Sequence, residues 1–133
     1  MVFVDASALM AIITGQPAAD ALTDRLEAEQ RRLCSPISVW ETVAGLCHSY
    51  MFSVPAAREH VQRFLDALGF EWVAISEREY TLALDAYAQY GEGRHPAKLN
   101  MGDCFAYACA KGNRAKLLFT GDDFSKTDLG HLA

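Results

Sequence analysis

The chain has 133 residues, about half of them hydrophobic, 22% charged, with a net charge of −5 at pH 7. That length suits one domain with one core that needs no disulfide support, and the composition excludes disordered and collagen-like chains. A sequence pI near 5.3 argues against a protein that holds nucleic acid through a broad basic face, though not against an enzyme whose bound cations supply the positive field.

The chain opens on Met1-Val2-Phe3-Val4-Asp5, with no basic stretch ahead of its apolar run, and Ala8 to Ile13 is too short to cross a bilayer, so neither a signal peptide nor a membrane span is expected. Val2-Phe3-Val4 reads as a fully buried strand, followed at once by a helical pattern from Ala6. Ala18, Ala21, Leu22 and Leu26 recur at helical spacing after Gly15 and Pro17. Residues 31–35 form a second strand stopped by Pro36. Val39, Val43, Leu46, Cys47 and Tyr50 then give one helical stripe, and Val61, Phe64, Leu65 and Leu68 another in a helix opened by Pro55.

A third strand is expected over 71–75. It ends at Ser76-Glu77-Arg78-Glu79, a capping-box pattern that leads into a helix bearing Tyr80, Ala83, Leu84 and Tyr87 and stopping near Gly91. A polar loop to Leu99 precedes a short helix over about 101–111, closed by Gly112-Asn113. A fourth strand, 116–120, runs into Gly121-Asp122-Asp123-Phe124. Strands alternating with helices predict an α/β domain: a central, mostly parallel sheet of four to five strands with helices on both faces, occupying residues 1–133 as one unit.

Cys34, Cys47, Cys104 and Cys109 form no C-x-x-C pair. Zinc is therefore not expected, and the residues read as reduced thiols of a cytoplasmic protein. The chemistry points to the acids instead. In open parallel sheets ligands bind beyond the carboxyl ends of the strands where strand order reverses. Asp5 ends the first strand, Asp122 follows the fourth, Glu41 lies in the helix after the second, and Asp103 begins the helix before the fourth.

Each acid also has a structural explanation. Asp103 follows an Asn100 cap, Glu41 completes Ser38-x-x-Glu41, and Asp122 follows Gly121 in a turn. Asp5 is hardest to explain that way, because a carboxylate directly after a buried strand loses its hydration. Taken together the four would repel, at about 4 kcal/mol per pair for charges ~4 Å apart in an effective dielectric near 20, and a divalent cation relieves this. An all-carboxylate set suits hard Mg²⁺, with Mn²⁺ able to substitute, and such an ion activates water against a phosphodiester.

The stretches Val4-Asp5-Ala6-Ser7-Ala8, Ser38-Val39-Trp40-Glu41, Leu99-Asn100-Met101-Gly102-Asp103-Cys104-Phe105-Ala106-Tyr107-Ala108 and Leu118-Phe119-Thr120-Gly121-Asp122-Asp123-Phe124 together resemble the PIN-domain toxins called VapC. The likeness spans essentially the whole chain in order and spacing. It implies a Mg²⁺-dependent endoribonuclease, the toxin of a type II toxin–antitoxin pair, acting on RNA, restrained by a cognate antitoxin and forming a homodimer. It places Asp5, Glu41, Asp103 and Asp122 as the acidic quartet, with Asp123 as a competitor for the fourth position, and Ser7 and Thr120 as supporting hydroxyls. Arg94, His95 and Lys98 are candidate contacts to RNA phosphate or to an acidic antitoxin tail.

Other functions fit less well. A receiver-type phosphoacceptor needs an aspartate after the third strand, where Ser76 stands, and a haloacid-dehalogenase-like phosphatase needs one two residues after Asp5, where Ser7 stands. Gly91-Glu92-Gly93 follows a helix and lacks the third glycine of a dinucleotide site. The remaining alternative is a catalytically inactive PIN-like module that only binds RNA or protein.

Overall fold

A computed structural model describes residues 1–130; the expected domain boundary at residue 133 lies outside them. The strands are β1 (Val2–Val4), β2 (Arg32–Cys34), β3 (Glu71–Trp72) and β4 (Lys116–Leu118). The helices are α1 (Ala6–Ile13), α2 (Ala19–Ala28), α3 (Pro36–Tyr50), α4 (Val54–Ala67), α5 (Glu77–Tyr90) and α6 (Met101–Gly112). All strand pairs are parallel, and the sheet order is β3-β2-β1-β4.

Because side chains alternate across a strand, the short apolar strands serve two cores at once. Phe3, Leu33 and Leu117 pack with α5 and α6 on one face. Val2, Val4, Cys34 and Leu118 pack with α1 to α4 on the other. This is why Val2-Phe3-Val4 carries no polar residue: both faces of its strand are covered.

The chain leaves β1 through β2 to β3 on one side and returns with β4 on the other, so strand order reverses between β1 and β4. Val4 and Leu118 are register partners there, and the Asp5 N–H donates to the Leu118 carbonyl at 3.0 Å. Across the sheet, Arg32 ties two helix ends together, its guanidinium donating to the carbonyls of Leu26 at 2.7 Å and Leu68 at 2.8 Å. These are carbonyls of the kind that helix C-termini leave unpaired.

Two strand ends differ from expectation. The third strand pairs only over Glu71–Trp72, both exposed at the sheet edge; the Val73 N–H makes a last ladder-like bond to the Cys34 carbonyl at 2.8 Å, after which the chain turns to pack Val73 and Ile75 on the α5/α6 side. The fourth strand stops at Leu118 rather than Thr120, because the Thr120 N–H turns to the Ser7 hydroxyl at 3.1 Å. The sheet has four strands among the described residues, within the expected four to five.

The cap of α3 also differs. Ser35, not Ser38, is the N-cap: Ser35 Oγ accepts from the Ser38 N–H at 3.1 Å while the Ser35 N–H donates to Ser38 Oγ at 3.0 Å. Glu41 is therefore not used as a cap. All four cysteines are free. Burial pushes the Cys34 thiol up to about 12 and those of Cys104 and Cys109 up to about 11, which suits packing rather than reactivity.

Replacing Ser35 by Ala removes the cap that seats α3 and is expected to cost about 1 kcal/mol, read as a lower midpoint in urea unfolding with an unchanged slope.

Candidate functional site

Asp5 follows β1 directly and caps α1, its Oδ2 accepting from the Ser7 N–H at 3.0 Å. Only 5% of the residue is exposed. Burial pushes its carboxyl above the ordinary aspartate range; bonds to Ser7 and Ala6 pull the other way, and the nearby Asp123 charge adds to the upward push. A buried acid beside another acid is expensive to ionise, and its bonds are local ones.

Asp103 lies in the first turn of α6. Its N–H donates to Asn100 Oδ1 at 2.9 Å, and its Oδ2 accepts from the Asn100 N–H at 3.1 Å, closing a reciprocal capping box. The cap is real, yet it does not account for the electrostatics. Burial first, then repulsion from Asp5, Asp123 and Glu41, outweighs the Asn100 bond and pushes this carboxyl up to about 7.

Glu41, on the second turn of α3, is half-buried and likewise raised by burial and by the Asp5 charge. Its carboxylate lies flat against the start of α6: a Cβ placed on Gly102 would fall 2.5 Å from Glu41 Cδ. Gly102 is thus a close-approach position that spacing of the acids alone did not single out. Its signal was a glycine inside a helical pattern, directly before a candidate acid, where close approach is a standard reason for glycine.

The fourth position falls on two neighbouring aspartates. Asp122 is exposed, with its carbonyl accepting from Ser125 Oγ at 2.6 Å. Asp123 is exposed too, but its charge acts on both Asp5 and Asp103. Gly121, with φ +82°, makes the left-handed turn that leads into this pair.

Ser7 does two jobs. Its N–H holds Asp5 and its hydroxyl accepts the Thr120 N–H, joining the ends of β1 and β4. Thr120 contributes that backbone group rather than a side-chain contact to an acid. In the loop before α6, Arg94 stacks over the Tyr87 ring at 5.0 Å. His95 is used internally: its Nδ1 accepts from the Ala97 N–H at 3.0 Å, and its ring stands edge-on to Tyr90. Lys98 is exposed, with φ +53°.

The site is thus a set of carboxylates in which burial and neighbouring negative charge raise Asp5, Glu41 and Asp103, beside the capped first turns of α1 and α6. Such a set suits a hard divalent cation. It is not a preformed cage: among the described residues no three acidic, cysteine or histidine side chains stand together at ligand distance. Asp5 and Asp103 are instead occupied with their local caps.

A family model described as the PIN domain matches residues 2–129. A VapC ribonuclease of Rhizobium meliloti is 41% identical over 98% of this chain and 100% of its own length. Ribonuclease VapC30 of Mycobacterium tuberculosis is 38% identical, covering 98% of this chain and 97% of that protein. Among solved structures, Mycobacterium tuberculosis VapC20, described as a sarcin–ricin-loop-cleaving toxin, superposes with a TM-score of 0.73 at 16% identity over 94% of this chain and 93% of that one. A toxin–antitoxin complex from Klebsiella pneumoniae gives 0.70 at 20% identity, over 97% and 94%. At those identities the two structures speak for the fold.

The raised carboxyl of Asp103 has a sign that can be measured. Its protonated form is favoured by folding, so stability from this group is fully present below the unfolded value of 3.8 and is lost as pH rises through about 7. Asp103→Asn, which keeps an acceptor for the Asn100 N–H, is expected to melt close to the parent at pH 4 and progressively above it towards pH 8 in metal-free buffer, as read by thermal denaturation across that range.

Proposed function

This chain belongs to the PIN-domain family and, within it, to the VapC ribonucleases, and from that membership together with its acidic rim we propose that it is a metal-dependent endoribonuclease, the toxin of a type II toxin–antitoxin pair. The observation that carries the proposal is the gathering of Asp5, Glu41 and Asp103 at the reversal point of a parallel sheet, with Gly102 leaving room for the Glu41 carboxylate against the helix that bears Asp103. Local caps explain where Asp5 and Asp103 sit on their own helices, but not why acids from separate stretches share one rim. Intact acids also count against the inactive-module alternative.

In this proposal Asp5, Glu41 and Asp103 hold Mg²⁺, or Mn²⁺ in its place, with Asp123 completing the set in preference to Asp122. When bound, the ion supplies a water of lowered pKa and offsets charge on the phosphate. The chain's own part is to orient and to neutralise. Ser7 fixes Asp5 and, through the Thr120 N–H, the spacing of the two strand ends. Gly102 lets Glu41 come against the helix bearing Asp103. In this reading the exposed Arg94 and Lys98 meet RNA phosphate or an acidic antitoxin tail, whereas His95 holds the loop.

An antitoxin partner is supported by the Klebsiella pneumoniae neighbour, which is a toxin–antitoxin complex. A homodimer is supported by a second apolar stripe on α5. Ala83, Ala86 and Tyr90 face the core, but Tyr80, Leu84 and Tyr87 point outward, 55%, 49% and 43% exposed, beside Met101 at 70%. A patch of this kind marks a protein interface. Free thiols suit a cytoplasmic setting, and no helix among the described residues is long and apolar enough to cross a membrane.

Asp103→Ala is expected to lower RNA cleavage at least about 100-fold with the fold retained, and chelation of divalent cations to stop the parent until Mg²⁺ is restored; cleavage by Asp103→Ala at the parental rate would remove the assignment. Sequencing RNA ends from cells expressing the parent or Asp5→Ala identifies the target. Leu84→Asp is expected to convert a dimer to a monomer in sedimentation velocity.

A further inference from the structure

The segment after β4 carries the fourth acid, yet has no long element to hold it. From Gly121 it passes Asp122 and Asp123 into a short 3₁₀ turn, Phe124–Lys126, and continues to Gly130. It is folded on itself. Thr127 Oγ1 donates to the Phe124 carbonyl at 2.8 Å and accepts from the Leu129 N–H at 3.2 Å. Gly130 closes against the same turn, where a Cβ would meet the Ser125 and Phe124 carbonyl oxygens at 2.5 and 2.6 Å.

Two buried side chains, Phe124 and Leu129, seat this unit in the core, with Phe124 packed on Phe119 at 5.3 Å between ring centroids. Apolar contacts of this kind are non-directional, so they hold the segment down without fixing which way Asp123 points. The directional anchor is Asp128. Its Oδ1 accepts from the Tyr107 hydroxyl at 2.7 Å and, at the long limit of 3.5 Å, from the Tyr90 hydroxyl. Its Oδ2 pairs with the Lys111 ammonium. Partial burial works against its charged form, but the Lys111 and Tyr107 bonds outweigh that and hold its carboxyl below the ordinary range.

The partners are spaced in a telling way. Asp103, Tyr107 and Lys111 follow one another at i, i+4 and i+8 in α6, so they lie along one face of that helix. One end of the face offers Asp103 to the acidic rim; the rest grips Asp128, five residues after Asp123. A single rigid helix therefore sets the separation between two of the proposed metal-holding acids.

We propose that Asp128 is a positioning residue for the acidic site: by locking segment 121–130 onto Tyr107 and Lys111, it fixes Asp123 opposite Asp103. This rests on the function proposed above for that site.

The test uses Mn²⁺ alone as the probe. Isothermal titration of Mn²⁺ into the purified full chain is paired with amide hydrogen exchange in metal-free buffer. Asp128→Ala is expected to weaken Mn²⁺ binding by about 10- to 100-fold, the range for residues that orient metal ligands, and to speed exchange over residues 122–127 while α6 stays protected. Tyr107→Phe, which keeps the packing and loses the 2.7 Å bond, is expected to shift both readouts in the same direction by less, and it serves as the test if Asp128→Ala does not fold. Parental Mn²⁺ affinity in a folded Asp128→Ala, or in Tyr107→Phe where that one must stand in, overturns the proposal while leaving the acidic site intact. Failure of the parent itself to take up Mn²⁺ overturns the site and the latch together.

Discussion

Like charge brought together against its own repulsion is the constraint on which the rest of this structure depends. Asp5 is buried at the end of the central strand, and Glu41, Asp103 and Asp123 bring further negative charge close enough to act on it or on one another. Each acid taken alone would be a mild local cost. Together they raise the free energy of the ionised fold, and a cation bound among them as proposed would lower it. The sheet makes this possible, because two cores, one per face, hold the strand ends rigid without any help from the acids.

Much of the architecture was legible because the signals were physical and local. An all-apolar strand followed at once by an acid and a helix pattern required a strand covered on both faces, and Val2 to Asp5 behave that way. Proline and serine at 35–36 marked the start of α3, and the Asn100 to Asp103 spacing marked the start of α6. What misled was ambiguity between overlapping patterns. Ser35 and Ser38 both precede an apolar helix, and the spacing Ser38 to Glu41 suggested a cap that Ser35 in fact supplies. With Ser35 as the cap, the Glu41 side chain is not engaged at the start of α3.

Other features were beyond reach of spacing alone. Spacing alone does not separate two adjacent aspartates after Gly121, which lie in an irregular turn rather than in a strand with a fixed alternation. Periodicity along α5 gathers Tyr80, Ala83, Leu84 and Tyr87 into one apolar list, but only packing separates the residues that face the core from those left exposed. The close contact between Gly102 and Glu41 joins residues far apart in sequence. Nothing short of the folded arrangement brings it out.

The most direct measurement of the central claim is anomalous diffraction from crystals of the chain soaked in Mn²⁺. The account predicts a peak at the β1/β4 end of the sheet, bounded by carboxylate oxygens of Asp5 and Asp103 at about 2.0–2.3 Å, near the distances that hard divalent cations take with oxygen. Data that show no peak there at millimolar Mn²⁺, or that show the ion held by a different group of residues, would contradict it.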